Sequence, residues 1–485
     1  MIDTQAIRSK ILDLAMRGQL SEQLPEDGTA DELYQRIVAH KNDLIASGVI
    51  KKDKQTKTPE TENTLPVLPK TWKWVVFGTI ITLQSGQDLK PEEYNSVHNG
   101  IPYLTGASNF DDKGHLTINR WTTQPKNIAF EGDILLSCKG TVGKLAILET
   151  NRVHIARQFM AIRTYDVNVR FAAFFLESVI DGIKKASKGL IPGIERNDVL
   201  YLNMPLPPLA EQDRIVKRIE QAFSVLDTID TLQMQYTDNL TVLKSKLIDA
   251  AIQGKLTERL PEDGTATELL SRIEAEKNAL IASGKIPKEK NLSDITVTEI
   301  PFDIPATWKW VRVQDVASYI TDYVANGSFA TLKAHTKTYK EPNYALFVRT
   351  MDLSANFKDQ CSYIDKASYD FLQKSQLFGG ELILPNIGAS IGKAFIMPDM
   401  GMPMSLAPNA ILLKFTEPIM NEYFSYVVKS TYGNKLLNKT QGGSATAKFS
   451  KTDLRALVVP LPPLNEIMRI VTTLNRTLEL VDSQL

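Results

Sequence analysis

Two short turns that combine glycine and lysine are the segments whose residue types could hold a phosphate group. The first reads Gly-Thr-Val-Gly-Lys at residues 140–144, and the second reads Gly-Ala-Ser-Ile-Gly-Lys-Ala at residues 388–394. A nucleotide-binding loop has four residues between its glycines and a Ser or Thr after the lysine to hold magnesium. The second turn is one residue too short and has Ala394 at the hydroxyl position. The sequence therefore favours a β-turn here.

Other catalytic chemistry lacks its residues. The five histidines form no paired metal-binding motif, and no Asn-Pro-Pro-aromatic or Asp-Pro-Pro-Tyr motif of adenine methyltransferases is present. Cys138 and Cys361 have no neighbouring cysteine, so we interpret both as packed residues. The acids of the repeated Pro-Glu-Asp-Gly segments (25–28 and 261–264) suit helix entries. We predict no catalytic residue, metal or cofactor on this chain. An enzyme with an unrecognised site is an alternative to this prediction.

Positive charge is local in this chain. Lys and Arg number 56 and so do Asp and Glu, so a net charge of zero argues against coating DNA by bulk electrostatics. Two basic, glycine-containing segments each lie just before a Leu-Pro-Pro sequence, and such loops suit phosphate contact, although a merely solvated loop is the alternative. The predicted phosphate contacts are Lys184, Lys185, Lys188, Lys435, Lys439, Gln441 and Lys448.

Polar side chains next to short apolar runs are candidates for base recognition, which needs Arg, Lys, Asn or Gln in loops that enter a groove. Each one alone could be ordinary surface, so the prediction applies to the set. The predicted base contacts are Thr105, Ser108, Asn109, Lys139, Arg157 and Gln158 in the first half, and Arg349, Asp352, Asn386, Ser390 and Asn409 in the second.

A long internal repeat positions these segments. Residues 10–54 align with residues 246–290 without a gap, with 28 of 45 positions identical. The similarity continues through Trp-Lys-Trp at 72–74 and 308–310, is lost, and returns as Pro-Leu-Pro-Pro-Leu at 205–209 and 460–464. One conserved frame therefore carries two different inserts, about 75–204 and 311–459. The inserts alternate short β-rich runs with turn residues and predict mixed α and β domains.

Apolar residues in alternating steps of four and three predict one helix of about 40 residues after Pro208, ending before Gly254. Gln233 is its one polar seam residue, which could fix register or be merely tolerated. The predicted seam is Ile215, Ile219, Ala222, Leu226, Ile229, Gln233, Tyr236, Leu240, Leu243, Leu247 and Ala250.

The chain ends repeat this helix in two pieces. Ile470, Leu474, Thr477 and Val481 match its first half, and the segment 7–14 matches its second half. If the ends meet, they form a second helix that packs antiparallel to the first, which gives a circular organisation with a pseudo-two-fold axis and the inserts at opposite ends. A shorter amphipathic helix is predicted in each copy, after the Gly-Thr-Ala entry (28–30 and 264–266) and before the Ser-Gly stop (47–48 and 283–284), with the tryptophans after it as structural anchors.

The chain as a whole resembles the specificity (S) subunit of type I restriction-modification enzymes. The resemblance rests on the two-fold repeat, on Gly-Asp-Ile-Leu followed by Gly-Thr-Val-Gly-Lys (132–144) with its counterpart at 380–393, and on Leu-Pro-Pro-Leu-Ala-Glu-Gln (206–212) before the long helix. The second copy of that last motif departs from the pattern at Ile467, where Gln is usual.

The resemblance implies two globular target recognition domains (α+β) separated by long antiparallel coiled-coil helices. It implies two methyltransferase subunits and restriction and translocation subunits as partners, with S-adenosylmethionine, ATP and magnesium bound by those partners. The expected domains are a conserved region at 1–70, recognition domain 1 at 71–208, a central conserved region at 209–306, recognition domain 2 at 307–463 and a conserved helix at 464–485.

The residues lead to a compatible hypothesis without the resemblance. Two different heads on a pseudo-symmetric spacer should read two different half-sites of DNA, whereas identical heads read a palindrome. The alternative is a scaffold that holds two protein ligands, for which binding would not fall linearly with log salt. No basic leader followed by an apolar stretch begins the chain, and we expect a soluble, cytoplasmic protein.

Overall fold

The computed structural model describes residues 1–51, 65–111, 115–186, 193–439 and 448–484, and it excludes the side chains of Ala186 and Lys439. The chain forms two compact units, residues 1–234 and 235–485. One long helix, α6, contributes to both. The predicted mixture of helices and strands is confirmed.

The helices and strands of the first unit follow the expected pattern of frame and insert. The helices are α1 (Thr4–Met16), α2 (Ala30–Ala46), α3 (Phe77–Ile80), α4 (Val169–Ala186), α5 (Arg196–Leu200) and α6 (Leu209–Ile252). The strands are β1 (Lys73–Val76), β2 (Ile81–Ser85), β3 (Ile101–Leu104), β4 (Trp121–Thr122), β5 (Ile128–Phe130), β6 (Ile134–Ser137), β7 (Leu145–Ile147), β8 (Arg152–Ile155), β9 (Phe159–Thr164) and β10 (Asn203–Leu206).

The second unit repeats this order with additions. Its helices are α7 (Ala266–Ala282), α8 (Val313–Val316), α9 (Phe329–His335), α10 (Thr350–Ser354), α11 (Lys366–Phe371), α12 (Pro418–Lys429), α13 (Thr431–Lys439), α14 (Lys451–Ala456) and α15 (Leu464–Asp482). Its strands are β11 (Lys309–Arg312), β12 (Ala317–Asp322), β13 (Thr338–Tyr339), β14 (Ala345–Val348), β15 (Tyr363–Ile364), β16 (Gln376–Leu377), β17 (Leu382–Pro385), β18 (Phe395–Ile396), β19 (Met404–Leu406), β20 (Ala410–Phe415) and β21 (Val458–Leu461).

The sheets of the two units have matching topology. Each insert is closed at its base by a two-stranded ribbon, β1-β10 or β11-β21. An antiparallel sheet follows in the order β2-β9-β6-β7 or β12-β20-β17-β18. A second sheet, β4-β3-β8-β5 or β13-β15-β14-β19-β16, contains a parallel pair, β3 with β8 or β14 with β19. The inserts therefore share one fold, as the common landmarks predicted.

Each insert is built in layers. In the first, Leu135 of β6 and Ile155 of β8 belong to the core between the two sheets. The opposite face of the β2-β9-β6-β7 sheet packs on Phe171 and Phe175 of α4, in a core that also contains Ile215 of α6. The frame and the insert are thus one hydrophobic unit.

The conserved junction explains the repeated motifs. Trp72 is buried and its indole N–H donates to Glu211 Oε2 at 2.8 Å, and Trp308 donates to Glu466 Oε2 at 2.7 Å in the second unit. The predicted role of these tryptophans as structural anchors is confirmed. Asp27, from the first Pro-Glu-Asp-Gly segment, pairs with Arg214 of α6 and accepts the Leu24 N–H, so this acid is structural.

The amphipathic helices also form as predicted. Thr29 and Thr265 cap α2 and α7 through their side chains, and a glutamate three residues later completes each capping box. Both helices end at a Ser-Gly pair whose glycine has a positive φ. Ile467 stands at the position that Gln212 occupies in the first unit. The side-chain amide of Gln212 accepts the Asn168 N–H and donates to the Pro207 carbonyl. Ile467 is simply buried in the apolar core.

The long helix α6 confirms the predicted length and most of the seam. Ile215, Ile219, Leu226 and Leu240 are buried, but Tyr236 and Leu243 are 45% and 43% exposed, so their assignment to the seam is wrong. A seam with a strict heptad repeat rotates by about 20° per repeat around a straight helix, which amounts to about 80° over the four heptads from Ile215 to Leu243. The remaining seam positions, Ala222, Ile229, Gln233, Leu247 and Ala250, are half-buried.

The antiparallel pairing of helices is present inside each unit. Arg8 of α1 pairs with Asp227 of α6 at 2.6 Å, while Ser21 reaches Glu211 further toward the start of α6. In the second unit, Ile470 and Leu474 of α15 are buried in one cluster with Ile248 of α6. That the chain ends meet to complete a second long helix stays a prediction.

Candidate nucleic-acid interface

Four segments of the first insert meet where β6 ends. The Cys138 N–H donates to the Gln158 carbonyl at 2.8 Å, and the Ile194 N–H donates to the Cys138 carbonyl at 3.0 Å. The Ala156 N–H donates to the Leu104 carbonyl at 2.9 Å, which adds the loop after β3. We call these segments, residues 105–109, 138–140, 156–158 and 193–194, the first edge.

The second insert repeats this arrangement of backbone bonds. The Asn386 N–H donates to the Asn409 carbonyl at 3.2 Å, and the Phe449 N–H donates to the Asn386 carbonyl at 3.1 Å. The Ala407 N–H donates to the Val348 carbonyl at 2.9 Å. We call residues 349–352, 386–390, 407–409 and 448–449 the second edge. The structure therefore brings most of the predicted base contacts together in each insert, at equivalent positions.

The glycine-lysine turns lie beside these edges and are hairpin turns. Residues 140–144 connect β6 to its antiparallel neighbour β7, so no helix follows the turn as a nucleotide-binding loop requires. Gly143 has φ +88°, and a Cβ there would lie 2.3 Å from Lys184 Cε. Gly392 has φ +91°, and a Cβ there would lie 2.1 Å from Asn434 Oδ1. Both glycines let a helix pack closely on the turn.

The basic segments are anchored at the same place. Lys139 forms an isolated β-bridge with Gly193, and Ile387 forms one with Lys448. Lys185, Lys435 and Lys448 are exposed, while Lys184 is ion-paired with Asp181 at 3.3 Å. Lys188 and Gln441 lie outside the described residues, and so does the side chain of Lys439.

Solvent reaches several of the candidate side chains on the first edge. Ser108 and Lys139 are exposed, and Arg157 is exposed with an ion pair to Asp88 at 2.8 Å. Thr105 is half-buried. Gln158 is also half-buried, and its Oε1 is a buried oxygen that has no hydrogen-bond partner among the described residues.

Asn109 does not fit the predicted base contact. Its side chain is only 1% exposed. The Oδ1 atom accepts the backbone N–H groups of Thr105 at 2.8 Å and Gly106 at 3.2 Å, and Nδ2 donates to the Thr117 carbonyl at 2.8 Å. Asparagine readily bonds to its own loop backbone, and here that use consumes the amide. Asn109 shapes the loop.

Asp352 needs the same correction on the second edge. It is buried, and its carboxylate accepts the Arg349 N–H at 2.8 Å and that residue's guanidinium at 2.5 to 3.2 Å. The hydrogen bonds that the Arg349 guanidinium donates to Asp352 are the main cause that raises the pKa of Arg349. Arg349 also donates to the Gln360 carbonyl at 2.8 Å, so it is half-buried and held in one orientation.

Asn386 is buried as well, so it does not fit a direct base contact. Its Nδ2 donates to the Phe449 carbonyl at 3.0 Å, and its Oδ1 is buried and has no partner in the part of the chain that the structure describes. Asn409 is exposed with φ +74°, a left-handed conformation that asparagine tolerates better than most residues. Ser390 is half-buried. Asn409 and Arg349 are therefore the best-placed predicted contacts on this edge.

Sequence reasoning missed three apolar side chains on or next to the second edge, Val324, Phe329 and Met351, which are exposed. Single exposed apolar residues follow no period of two or 3.6, so no pattern in the sequence marks them. It also missed Glu211 and Glu466 at the junctions, although their place in the repeated Leu-Pro-Pro motif offered a signal.

The described residues contain no group of three or more His, Cys, Asp or Glu side chains placed to hold a metal ion. Burial raises the pKa of the Cys138 thiol and also that of Cys361, which opposes formation of a thiolate nucleophile. No helix among the described residues is long and apolar enough to cross a membrane.

Comparisons with known proteins found several chains that are similar to this one. The specificity subunit of the type I restriction enzyme EcoAI from Escherichia coli is 25% identical, over 98% of this chain and 88% of that subunit. The EcoEI specificity subunit from the same species is 23% identical, over 98% and 89%. A crystal structure of the HsdS subunit from Thermoanaerobacter tengcongensis aligns at 23% identity with a TM-score of 0.32, over 47% of this chain and 51% of that chain.

The family match covers both inserts and the helices that follow them. Residues 69–235 and 305–484 each match the family described as type I restriction modification DNA specificity domain. The two matched ranges take up most of the sequence, and each contains one insert. This chain therefore belongs to the type I restriction modification DNA specificity domain family.

Proposed function

We propose that each edge reads one half of a bipartite, asymmetric DNA target, in a chain that serves as the non-catalytic specificity subunit of a type I restriction-modification complex. One observation supports this most directly. The same backbone bonds hold Gln158 on the first edge and Asn409 on the second, with Thr105 and Arg349 at the equivalent loop starts. A common frame with different polar side chains suits recognition of two different sequences.

The accessible groups match the chemistry of the major groove and the backbone of DNA. Asn409 offers an exposed carboxamide that can bind adenine through two hydrogen bonds, and Arg349 offers a half-buried guanidinium held in one orientation, a group suited to guanine. Lys139, Lys185 and Lys448 offer charge for phosphates, which fixes register without reading sequence. Phosphate contacts made near the basic segments would contribute to affinity, whereas base contacts on the edges would determine specificity.

The conserved frame is proposed to set the distance between the half-sites and to bind two methyltransferase subunits, with restriction and translocation subunits joining them. S-adenosylmethionine, ATP and magnesium would then be bound by those partners, and the complex would act in the cytoplasm. The domain limits proposed for this division of labour are 1–70, 71–208, 209–306, 307–463 and 464–485. Buried junctions such as Trp72 with Glu211 support it, because they join each insert rigidly to its helix.

Methylation mapping by long-read sequencing tests the proposal. Cells would express this chain with its methyltransferase partner, and the control would express the partner alone. The expected result is a gapped, asymmetric motif with one adenine modified on each strand. A soluble complex that modifies no motif, and whose DNA affinity shows no linear dependence of log affinity on log salt, would favour the protein-scaffold alternative.

A further inference from the structure

Three large apolar side chains stand exposed on or next to the second edge. Phe329 is 83% exposed, Val324 61% and Met351 57%. Isolated exposed apolar residues are common, but several near one predicted binding surface point to a contact. Met351 belongs to the second edge itself, and the other two follow β12.

The backbone places Val324 and Met351 on two sides of the connection from β19 to β20. Strand β12 ends at Asp322, which pairs with Ile411 near the start of β20, and a 3-10 helix (Tyr323–Asn326) follows. The Asn326 amide donates to Ser375 Oγ at 2.9 Å, and Ser375 Oγ lies 3.2 Å from Ser405 Oγ of β19. Met351 is in α10, which follows β14 on the other side of β19.

Phe329 is held by an ordered helix. It is the first residue of α9, whose N-cap Ser328 accepts the Thr331 N–H at 3.2 Å. Leu332 of α9 is buried against the second sheet of the insert, and His335 stacks on Phe371 with ring centroids 4.7 Å apart. The exposed ring is therefore presented by packing elsewhere on the same helix.

Exposed lysines occur on the same segments as these apolar groups or beside them. Lys333 on α9, Lys374 and Lys448 are exposed. Lys374 Nζ also donates to the Ala325 carbonyl at 3.0 Å, which places this cation beside Val324. Apolar side chains among lysines suit DNA, because lysines reach phosphates while the major groove offers one apolar group, the C5 methyl of thymine.

The first edge has polar side chains at the matching positions. The segment after β2 presents Gln87 and Asp88, and the loop after β3 presents Ser108. None of the exposed large apolar residues described in the first unit lies on the first edge or in residues 86–90. The difference between the edges is thus one of chemistry and not only of sequence.

We propose that Val324, Phe329 and Met351 form a thymine-methyl contact, so that the second edge reads at least one A·T pair of its half-site through the methyl group. This inference rests on the proposed function. The first edge, with polar groups at those places, reads its half-site without such a contact.

Substitution of deoxyuridine for thymidine tests this contact, because it removes only the methyl group. The complex of the full chain with its methyltransferase partner would be titrated with duplexes that carry the mapped target, one thymine replaced at a time. Burial of one methyl predicts roughly fourfold weaker binding at one or more positions of one half-site. In F329A and M351A the penalty should shrink toward none, while F378A, an exposed phenylalanine at the opposite end of β17, should keep it.

Three outcomes would overturn the inference. Deoxyuridine at every A·T pair could leave the Kd within about twofold of the normal duplex, the penalty could persist unchanged in F329A and M351A, or the half-site could hold no A·T pair. In each case the wild-type complex would still bind its target specifically, so only the methyl contact would fail. Absence of any sequence-specific binding would instead contradict the proposed function.

Discussion

The loops that follow β3 and β14 occupy equivalent places, yet acceptors of different charge hold them. In the first unit the neutral amide of Asn109 accepts the Thr105 N–H at 2.8 Å. In the second unit the carboxylate of Asp352 accepts the Arg349 N–H at 2.8 Å and also binds the guanidinium of the same residue. The loop shape depends on a buried acceptor tied to the backbone, whichever chemistry supplies it.

This comparison shows how two heads can diverge on one frame. The buried acceptor bonds to backbone N–H groups, which every residue except proline has, so neighbouring exposed positions can vary without loss of the loop. In the second unit the ion pair has a further effect, because it orients Arg349 toward a fixed direction. The first unit keeps a neutral loop and leaves Ser108 as its exposed polar group.

The largest effect on stability is expected when the ion pair between Arg349 and Asp352 is broken. Replacing Asp352 by Ala should lower the free energy of unfolding of the second unit by about 3 kcal/mol, because it leaves a half-buried guanidinium and a backbone N–H without their acceptor. Urea denaturation measures the change. Asp359, exposed in the same unit, provides the matched control D359A, which should change stability by less than about 0.5 kcal/mol. Equal effects of D352A and D359A would show that the pair does not hold the loop.

Loss of the neutral acceptor, Asn109, should have a smaller effect on stability. Replacing Asn109 by Ala should cost about 2 kcal/mol, because the N–H groups of Thr105 and Gly106 lose a buried acceptor but no charge is left unpaired. Denaturation of N109A beside S108A gives the measurement and its control. A cost for N109A as large as for D352A would remove the contrast between a neutral and an ionic loop.

Sequence patterns predicted the elements well because they are periodic. The apolar steps that begin at Ile215 indicated α6, and the strong β-rich run that contains Phe159 indicated β9. The exposed positions of Tyr236 and Leu243 were missed, since a seam with a period of 3.5 residues rotates off the buried face of a straight helix.

Sequence reasoning predicted where the candidate site residues lie better than it predicted what each residue does. The predicted residues cluster on two edges, but Asn109, Asp352 and Asn386 are buried and bond to backbone groups. Residue type shows that a polar side chain can bond to a base, whereas its direction depends on neighbouring backbone that only the fold brings close. The apolar residues of the second edge were missed for the same reason.

The basic segments should behave alike in the two units, in contrast to the edges. The double variant K185A and K188A should weaken binding to all DNA sequences by about tenfold and make the slope of log affinity against log salt less steep by about 2, because two phosphate contacts are lost. K435A with K448A should do the same. Anisotropy titrations at several salt concentrations measure this. A change of sequence preference, or the same slope change in K285A with K288A, would contradict a phosphate role.

The smallest difference between the two units is expected at the junctions where Glu211 and Glu466 bind Trp72 and Trp308. Glu211 accepts hydrogen bonds from Ser21, Gln23 and Trp72, whereas Glu466 accepts them from Thr257 and Trp308. Burial, as the largest cause, raises the pKa of Glu466 above its ordinary value of 4.5. The folded state therefore holds that proton more tightly, and this stabilisation is fully present below the unfolded pKa and is lost as pH rises through the folded pKa.

E466Q removes this titration while its amide oxygen can still accept from Trp308. The stability of E466Q relative to the wild type should therefore rise as the pH increases through the raised pKa of Glu466, as urea denaturation at each pH between 4 and 8 would measure. E211Q is the matched variant, and it should be less stable than the wild type at neutral pH because one amide cannot accept from three donors. A constant difference between E466Q and the wild type across this range would mean that burial does not shift the pKa of Glu466, and the contrast between the units would then be confined to their edges.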